Sequence, residues 1–294
     1  MKIKTKTNYS SNKKKDNDKQ LKQIQETELE ILDVVDQFCK TYDICYSLTY
    51  GTLIGAVRHQ GFIPWDDDID LMMTRDAYDR FIRLWQKNPP SGFFLQTDVT
   101  DPPYGNNFLK IRKNGTTFIQ CEMEKTISYH TGLFIDIFPV DRVAPVGWKR
   151  IMQNAACQIN MLLTRDYSSG RRGIYGIVEK MLLALPCSWK RKIKTNSYKF
   201  KTRWNDNKNN HLPLFWNGTV YGMHQYFAGD LFDNMTELPF EGKKYPVYAQ
   251  YDQFLSGYYG DYMTLPPENM RVTHNPLIVD FEHEYNDYTR RYNA

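Results

Sequence analysis

The chain opens with a polar segment and then changes to a helical spacing of apolar residues. Residues 1–20 are rich in Lys, Asn and Ser and lack apolar periodicity, so we expect a disordered basic tail there. From Leu21 onward the apolar residues recur at intervals of three and four, which predicts a helix. The predicted buried face of this helix carries Leu32, Val35, Phe38, Cys39 and Tyr42.

The next segment predicts a strand, a short helix and a second strand in succession. ICYSLT at residues 44–49 alternates apolar and polar positions, as a half-buried strand does. Thr52 to His59 is predicted as a short helix that Gly61 closes. After a proline that breaks the chain, residues 68–73 are expected to form the second strand.

A further helix follows that strand. Thr74 is a suitable N-cap residue. The apolar positions after it lie three and four residues apart, at Tyr78, Phe81, Ile82 and Trp85. We therefore predict an amphipathic helix that packs against the strands.

Three more strands are predicted before residue 145. Residues 108–113 and 116–120 flank the Asn-Gly pair at 114–115, which is typical of a tight hairpin. Residues 132–138 form an apolar run that we expect Pro139 to end.

Beyond Pro145 the pattern changes to helical segments joined by polar loops, with one helix expected at residues 247–258. No internal repeat is visible. The fold class is therefore predicted as α/β, with a mixed-sheet core at residues 21–145. A mostly helical C-terminal region at residues 146–294 is expected to complete the substrate pocket.

Composition and charge narrow the possible partners. The chain has 41% hydrophobic and 24% charged residues, which is ordinary for a globular protein. Its formal charge of +4 is too small to favour nucleic acid as the main partner. Basic residues nevertheless concentrate in Trp189–Arg203 (WKRKIKTNSYKFKTR). That segment predicts either a contact with anionic lipid or a solvated basic face.

The cysteines and the apolar segments indicate in which cellular compartment the protein is expected. Five cysteines without a CxxC pair favour a reducing compartment over a disulfide framework or a cysteine-built zinc site. No secretory signal is recognisable in the first twenty residues. The best membrane candidate, Ile174–Trp189, is sixteen residues long and contains Glu179 and Lys180, so it is too short to span. We expect a cytoplasmic protein, with possible association at the inner face of a membrane.

The most unusual stretch is GFIPWDDDIDLMM, which places four carboxylates within five residues, immediately before an apolar run. Two like charges about 6 Å apart repel by roughly 3 kcal/mol at an effective dielectric of 20. On a strand, Asp68 and Asp70 would share a face and suit a hard divalent cation. A solvated acidic turn is the alternative, whereas a helix–loop–helix calcium site fails because Leu71 stands where glycine is required.

A lone carboxylate in a later strand strengthens the metal hypothesis. Asp136 lies within the apolar run GLFIDIF, where an unpaired charge would be costly. It either pairs with an arginine or, if its strand neighbours the acidic one, joins Asp68 and Asp70 around a cation.

These motifs resemble the LicD family, whose core resembles the nucleotidyltransferase fold. YGTLIGAVRHQGFIPWDDDID (residues 50–70) is the closest match to that family's signature. FLKIRKNGTTFI, FIDIFPVD and YYGDYMTLPPENMRVTH are further matches, so that the resemblance covers most of residues 30–275. The family includes bacterial transferases that move phosphocholine from CDP-choline onto cell-surface glycans such as teichoic acid, lipopolysaccharide or capsule. Fukutin-related ribitol-phosphate transferases share the core.

The resemblance implies a set of site residues. Asp68 and Asp70 would bind Mg²⁺ or Mn²⁺, with Asp136 as third ligand or general base. Gly51 and Thr52 correspond to the Gly-Ser pair that closes on phosphates in related enzymes. Further substrate-binding candidates are Arg58, His59, Trp65, Lys110 and Arg112.

Each of these further candidates also has a structural interpretation. The three cations, Arg58 foremost, are either phosphate clamps or surface charges. His59 is a phosphate donor or a helix C-terminal cation, and Trp65 either stacks on the donor or packs. Asp261 and His274 either line the pocket or close the C-terminal region onto the core.

The expected reaction is metal-dependent transfer of phosphocholine from a CDP-alcohol, with CDP-choline favoured, to a hydroxyl of a cell-surface glycan or its lipid-linked precursor, with release of CMP. One alternative is a nucleotidyltransferase that leaves NMP on its acceptor. Others are a transferase that uses CDP-ribitol or CDP-glycerol, and a non-catalytic protein that binds membrane or polyanion through the basic segment.

Overall fold

The α/β prediction is confirmed. The computed structural model describes residues 5–120, 129–165, 170, 172–206, 211–216, 218–219, 222–271 and 276–285. The α-helices in these ranges are α1 Thr5–Thr41, α2 Tyr50–His59, α3 Arg75–Lys87, α4 Trp148–Arg165, α5 Gly173–Leu183, α6 Cys187–Thr202 and α7 Tyr251–Tyr259.

A mixed sheet forms the centre of the fold. Its strands are β1 Ser47–Leu48, β2 Asp70–Thr74, β3 Phe93–Gln96, β4 Leu109–Lys113 and β6 Phe134–Arg142. They lie in the order β1-β2-β6-β4-β3, and the short strands β7 Leu214–Phe215 and β8 Tyr226–Phe227 extend the sheet from the end of β6. The pair β2–β6 is parallel and the other pairs are antiparallel.

The first helix is longer than predicted. It begins at Thr5 rather than Leu21, so that residues 5–20 are helical where the sequence predicted a disordered tail. The segment contains no glycine or proline to stop a helix, and an established helix gains one hydrogen bond for each residue added. The predicted buried face is confirmed for four of its members, Leu32, Val35, Phe38 and Cys39, while Tyr42 packs partly buried against the core.

The end of α2 corrects the predicted role of Gly61. Gln60, and not Gly61, adopts the left-handed conformation at the C-cap, with φ of 56°. Gly61 instead leaves room for the Glu241 carboxylate, which a Cβ at this position would displace. That carboxylate accepts a hydrogen bond of 3.1 Å from the Phe62 backbone N–H.

The strand–helix unit that follows α2 is close to the prediction. β2 begins at Asp70, two residues later than expected. Thr74 caps α3 as predicted, and its side chain accepts a hydrogen bond from the Ala77 N–H. Tyr78, Phe81 and Trp85 of α3 are buried.

The hairpin predicted at Asn114-Gly115 is wrong. The turn exists, with Gly115 at φ of 74°, but β5 (Thr117–Ile119) pairs with β11 (Ile278–Asp280) and not with β4. Both edges of β4 are already occupied by β3 and β6. The chain must therefore leave the sheet after the turn.

Pro139 does not end β6. It lies inside the strand, opposite Met73 of β2. The pairing of β6 with β4 stops at Ile137, and the pairing with β7 starts at Asp141. Pro139 therefore lies where this edge of β6 needs no N–H donor, which is where a strand tolerates proline.

The C-terminal region is helical at first and then contributes strands. The hairpin of β9 (Met235–Phe240) and β10 (Lys243–Tyr248) precedes α7, so the helix predicted over residues 247–258 starts four residues later than expected. One contiguous cluster of buried apolar side chains extends from Ile31 to Tyr262. The last third of the chain thus packs into the same core as the sheet.

Candidate active site

A row of charged side chains crosses the central sheet. Asp70 of β2 lies opposite Asp136 of β6, and Asp136 lies opposite Lys110 of β4. Residues directly opposite each other on neighbouring strands point to the same face, so the three side chains lie side by side. Lys110 Nζ donates a hydrogen bond of 2.5 Å to Asp136 Oδ1. The two acidic strands are therefore neighbours, which is the condition that the sequence argument set for Asp136 to join Asp68 and Asp70.

The remaining carboxylates of the acidic segment lie close to this row. Asp68 precedes β2, so its position does not depend on strand alternation as the sequence argument assumed. Burial, followed by the negative charges of Asp68, Asp136 and Asp66, raises the pKa of Asp70 well above its usual value. Asp66 and Asp68 therefore lie near enough to Asp70 for their charges to act on it.

The start of α2 holds the acidic segment in place. Thr52 Oγ1 accepts a hydrogen bond of 2.8 Å from the Asp70 backbone N–H. A Cβ on Gly51 would lie 2.8 Å from Asp66 Oδ2, so a larger residue would displace the Asp66 carboxylate. Tyr50 has a φ of 47°, a strained conformation of the kind that concentrates at functional sites.

The predicted phosphate clamps are engaged with the protein itself. Lys110 lies 3.3 Å from the centroid of the Phe134 ring in addition to its ion pair. Arg112 donates to Gln96 Oε1 and to the Gly132 carbonyl oxygen, each at 2.5 Å. Lys110 therefore belongs to the acidic row, whereas Arg112 fastens the sheet to the start of β6.

Arg58 and His59 connect α2 to the C-terminal region. Arg58 Nη1 donates a hydrogen bond of 2.6 Å to the Tyr262 carbonyl oxygen, and its Nε donates to His59 Nε2 at 3.0 Å. Burial, assisted by the charge of Arg58, lowers the pKa of His59. A neutral imidazole accepts this hydrogen bond.

The remaining candidates from the sequence are Trp65, Asp261 and His274. The Arg271 guanidinium lies 4.5 Å above the Trp65 ring, so the indole face already binds one cation of the chain. Asp261 is exposed and accepts hydrogen bonds from Thr264, which fixes a turn. His274 lies outside the described residues.

Comparisons with known proteins show the family of this chain. The family described as "LicD/FKTN/FKRP, nucleotidyltransferase domain" matches residues 43–161. The Haemophilus influenzae protein "Lipopolysaccharide cholinephosphotransferase LicD" is 32% identical over 259 residues, which cover 84% of this chain and 92% of that protein. The chain belongs to the LicD family.

Two uncharacterized Rickettsia proteins match shorter parts of this LicD-family chain. The R. typhi protein is 38% identical over 54 residues, or 18% of each chain. The R. prowazekii protein is 62% identical over 29 residues, which are 10% of this chain and 11% of that protein. Both name no activity, so the Haemophilus protein carries the functional comparison.

Sequence reasoning missed one carboxylate of this LicD-family site. Glu28 of α1 is 1% exposed, and its Oε2 has no hydrogen-bond partner among the described residues. Burial, then Asp68 and the other acidic side chains, raise its pKa well above the usual value. The sequence signal was present, because Glu28 interrupts the apolar stripe that runs through Ile24, Ile31 and Leu32.

The carboxylate set fits a hard divalent cation by its chemistry. Carboxylate oxygens are the preferred ligands of Mg²⁺ and Mn²⁺. The buried Glu28 carboxyl group has one oxygen without a hydrogen-bond partner in the described part of the chain. Burial, then Asp68 and the other acidic side chains, raise its pKa, so a cation bound here would relieve their mutual repulsion. Among the described residues, however, no three His, Cys, Asp or Glu side chains are already arranged to hold a metal. Lys110 supplies the positive charge at Asp136 in this arrangement.

A second buried ion pair lies on the opposite face of β6. Arg75 Nε and Nη2 donate to the two oxygens of Asp141, each at 2.8 Å, and both side chains are buried. Burial alone would raise the pKa of Asp141, but the Arg75 guanidinium holds it below its usual value. An odd separation from Asp136 places Asp141 on the other face of the strand. Asp141 of the FIDIFPVD motif therefore anchors α3 rather than the acidic row.

Proposed function

We propose that this LicD-family protein transfers phosphocholine from CDP-choline to a hydroxyl of a cell-surface glycan or its lipid-linked precursor, releasing CMP. The observation that carries the chemistry is the row of Asp70, Asp136 and Lys110 across three adjacent strands. The substrate class is supported by the Haemophilus relative, whose name specifies choline phosphate and lipopolysaccharide.

The charges of the site suit this reaction. A CDP-alcohol carries a diphosphate, and negative charge moves onto the CMP leaving group as the phosphorus–oxygen bond breaks. Mg²⁺ or Mn²⁺, held by Asp68 and Asp70 with Asp136 as third ligand, would neutralise that charge. If Asp136 is instead the general base, it takes the proton of the attacking hydroxyl. Lys110 orients the Asp136 carboxylate in either case.

Gly51 and Thr52, at the start of α2, contact the acidic segment and are proposed to bind a phosphate of the donor. The hydrogen bond from the Asp70 N–H fixes the Thr52 oxygen as an acceptor and leaves its hydroxyl proton available to a phosphate oxygen. Arg58 and Trp65 remain proposed donor contacts. Their partners in the chain, Tyr262 and Arg271, would then have to release them when the donor binds.

Release of CMP tests the proposal. Protein supplied with CDP-choline, Mg²⁺ and a lipopolysaccharide acceptor should release CMP, and Asp70→Asn should abolish the release. Asp76→Asn is the matched control, because Asp76 is an exposed carboxylate in the first turn of α3. Undiminished release by Asp70→Asn would remove the acidic row from the mechanism.

The family description also supports a second candidate, transfer of a whole nucleotide, because it includes the words "nucleotidyltransferase domain". In that reaction the acceptor gains NMP and the other product is not CMP. Mass analysis of the modified acceptor separates the two: a gain of phosphocholine supports the proposal, and a gain of a nucleotide contradicts it.

A further inference from the structure

Helix α5 turns its apolar side outward. Ile174, Ile177 and Met181, spaced three and four residues apart, are 72%, 60% and 66% exposed. The buried residues of the helix are Gly176 and Glu179, and the Glu179 carboxylate pairs with Arg165 of α4. A surface helix of a globular protein normally has the opposite orientation, with its apolar stripe facing the core.

The apolar surface continues onto α4. Trp148, Ile151 and Met152 are 68%, 70% and 50% exposed, and they lie on one face of that helix. Further along the same face, α4 lines a groove of about 710 Å³ against α5. The groove is lined by Ala155, Ile159, Leu162, Ile174, Val178 and Leu182, among others. The exposed residues of α4 and α5 thus belong to one apolar surface.

The charge around this apolar surface is predominantly positive. Residues 143–205 contain thirteen Lys or Arg and two Asp or Glu, a formal charge of +11 against +4 for the whole chain. In α6 the exposed residues include Trp189, Arg191, Lys192 and Lys199, and the helix contains no acidic residue. Two copies of this surface would repel each other, whereas an anionic lipid surface would attract it.

The dimensions favour an interfacial position. A helix of eleven residues is about 16 Å long, roughly half of the hydrocarbon thickness of a bilayer. Within the described ranges, no helix has both the length and the apolar character that crossing a membrane requires. An amphipathic helix flanked by basic residues lies in the plane of the interface with its apolar face among the acyl chains.

We propose that the outer face of α5, together with the exposed end of α4, inserts into the interface of an anionic bilayer, and that α6 contacts the headgroups. Sequence analysis left Trp189–Arg203 as either a lipid contact or a solvated basic face; in this proposal that segment supplies charge and α5 supplies the inserted apolar face. The inference does not depend on which group the protein transfers, because lipid binding is measured without turnover.

Vesicle co-sedimentation tests this surface directly. The full chain should bind vesicles of phosphatidylcholine with 30% phosphatidylglycerol, and binding should weaken on pure phosphatidylcholine and at 0.5 M salt. The double variant Ile177→Gln/Met181→Gln should bind at least tenfold more weakly to the anionic vesicles. Leu277→Gln is the matched control, since Leu277 is 49% exposed and lies beside β11, away from α4, α5 and α6.

Two results would overturn the proposal. One is a folded double variant, judged by circular dichroism, that binds anionic vesicles as tightly as the wild type. The other is a wild-type chain that self-associates in light scattering and becomes monomeric in the double variant, which would make this face an interface between copies.

Discussion

Asp70 and Asp136 lie opposite each other in the parallel strand pair β2–β6, and the Asp136 N–H donates a hydrogen bond of 2.9 Å to the carbonyl oxygen of Ile69. Two residues so placed on adjacent strands are separated by about 5 Å between backbones. The backbone therefore imposes the proximity of the two carboxylates, and Lys110 on the next strand only partly offsets their repulsion. The proposed phosphotransfer depends on this pair.

The hydrogen bond between Thr52 and Asp70 predicts that Thr52→Val lowers the free energy of unfolding more than Thr52→Ser does. Thr52→Val keeps the shape of the side chain but leaves the Asp70 N–H without its acceptor, which costs about 1–3 kcal/mol of unfolding free energy. Thr52→Ser keeps the oxygen and should lose much less. Urea denaturation of the two variants measures the difference, and equal losses would show that the hydroxyl does not hold the acidic strand.

Glu28 is expected to contribute to cation binding. Glu28→Gln replaces a buried carboxyl group, whose pKa is raised by burial and by Asp68, by a neutral amide of nearly the same volume, so the melting temperature should not fall. The Mg²⁺ concentration for half-maximal CMP release should rise roughly tenfold, as for other groups that support a metal site. Glu26→Gln, an exposed position on the same helix, is the control. An unchanged Mg²⁺ requirement would assign Glu28 a purely structural role.

The buried pair Arg75–Asp141 predicts a large loss of stability. Arg75→Met leaves Asp141 as an uncompensated buried charge and should cost about 3–5 kcal/mol. The double variant Arg75→Met/Asp141→Leu should recover most of that loss, because neither charge remains. Arg83→Met, an exposed position on the same helix, should have little effect in the same denaturation experiment. A single variant that loses less than about 1 kcal/mol would contradict this account.

His130 predicts an acid-dependent component of stability. Burial, followed by the charge of Arg112, lowers its pKa to about 4, and its Nδ1 accepts a hydrogen bond from the Gly132 N–H. In the unfolded chain the imidazole takes up a proton near pH 6.5. The contribution of neutral, buried His130 to the free energy of unfolding is therefore complete above about pH 6.5 and is lost as pH falls towards 4.

Denaturation at several pH values between 7.5 and 4.5 checks this sign. His130→Asn should flatten the decrease in unfolding free energy over that interval, and His211→Asn, at an exposed position, should not. A wild-type curve that rises as pH falls would contradict the assignment.

The periodic elements could be predicted because local patterns decide them. The buried face of α1 and the Thr74 cap of α3 follow from side-chain spacing and cap chemistry alone. The hairpin at Asn114-Gly115 failed because strand pairing depends on which edges are free, and both edges of β4 are taken. The residues of the turn do not indicate which strand edges are already occupied.

The candidate site was also predicted only in part, because a local motif indicates some of its residues whereas others depend on contacts that are distant in sequence. The motif indicated Asp68, Asp70 and Asp136, and the pairing of β2 with β6 confirms that the acidic strands are neighbours. The partners of Arg58 and Arg112 could not be predicted, because the Tyr262 carbonyl and Gln96 are distant in sequence. Their roles towards substrate remain predictions.

Stabilisation by the nucleotide donor tests the central claim most directly. A ligand present at one hundred times its Kd stabilises the folded state by about 2.7 kcal/mol. With Mg²⁺, CDP-choline should therefore raise the melting temperature of the wild type and of Asp76→Asn by several degrees. CDP-ribitol, CDP-glycerol and CTP should raise it less, and Asp70→Asn should show no shift with CDP-choline. An equal shift in Asp70→Asn would contradict the role assigned to the acidic row.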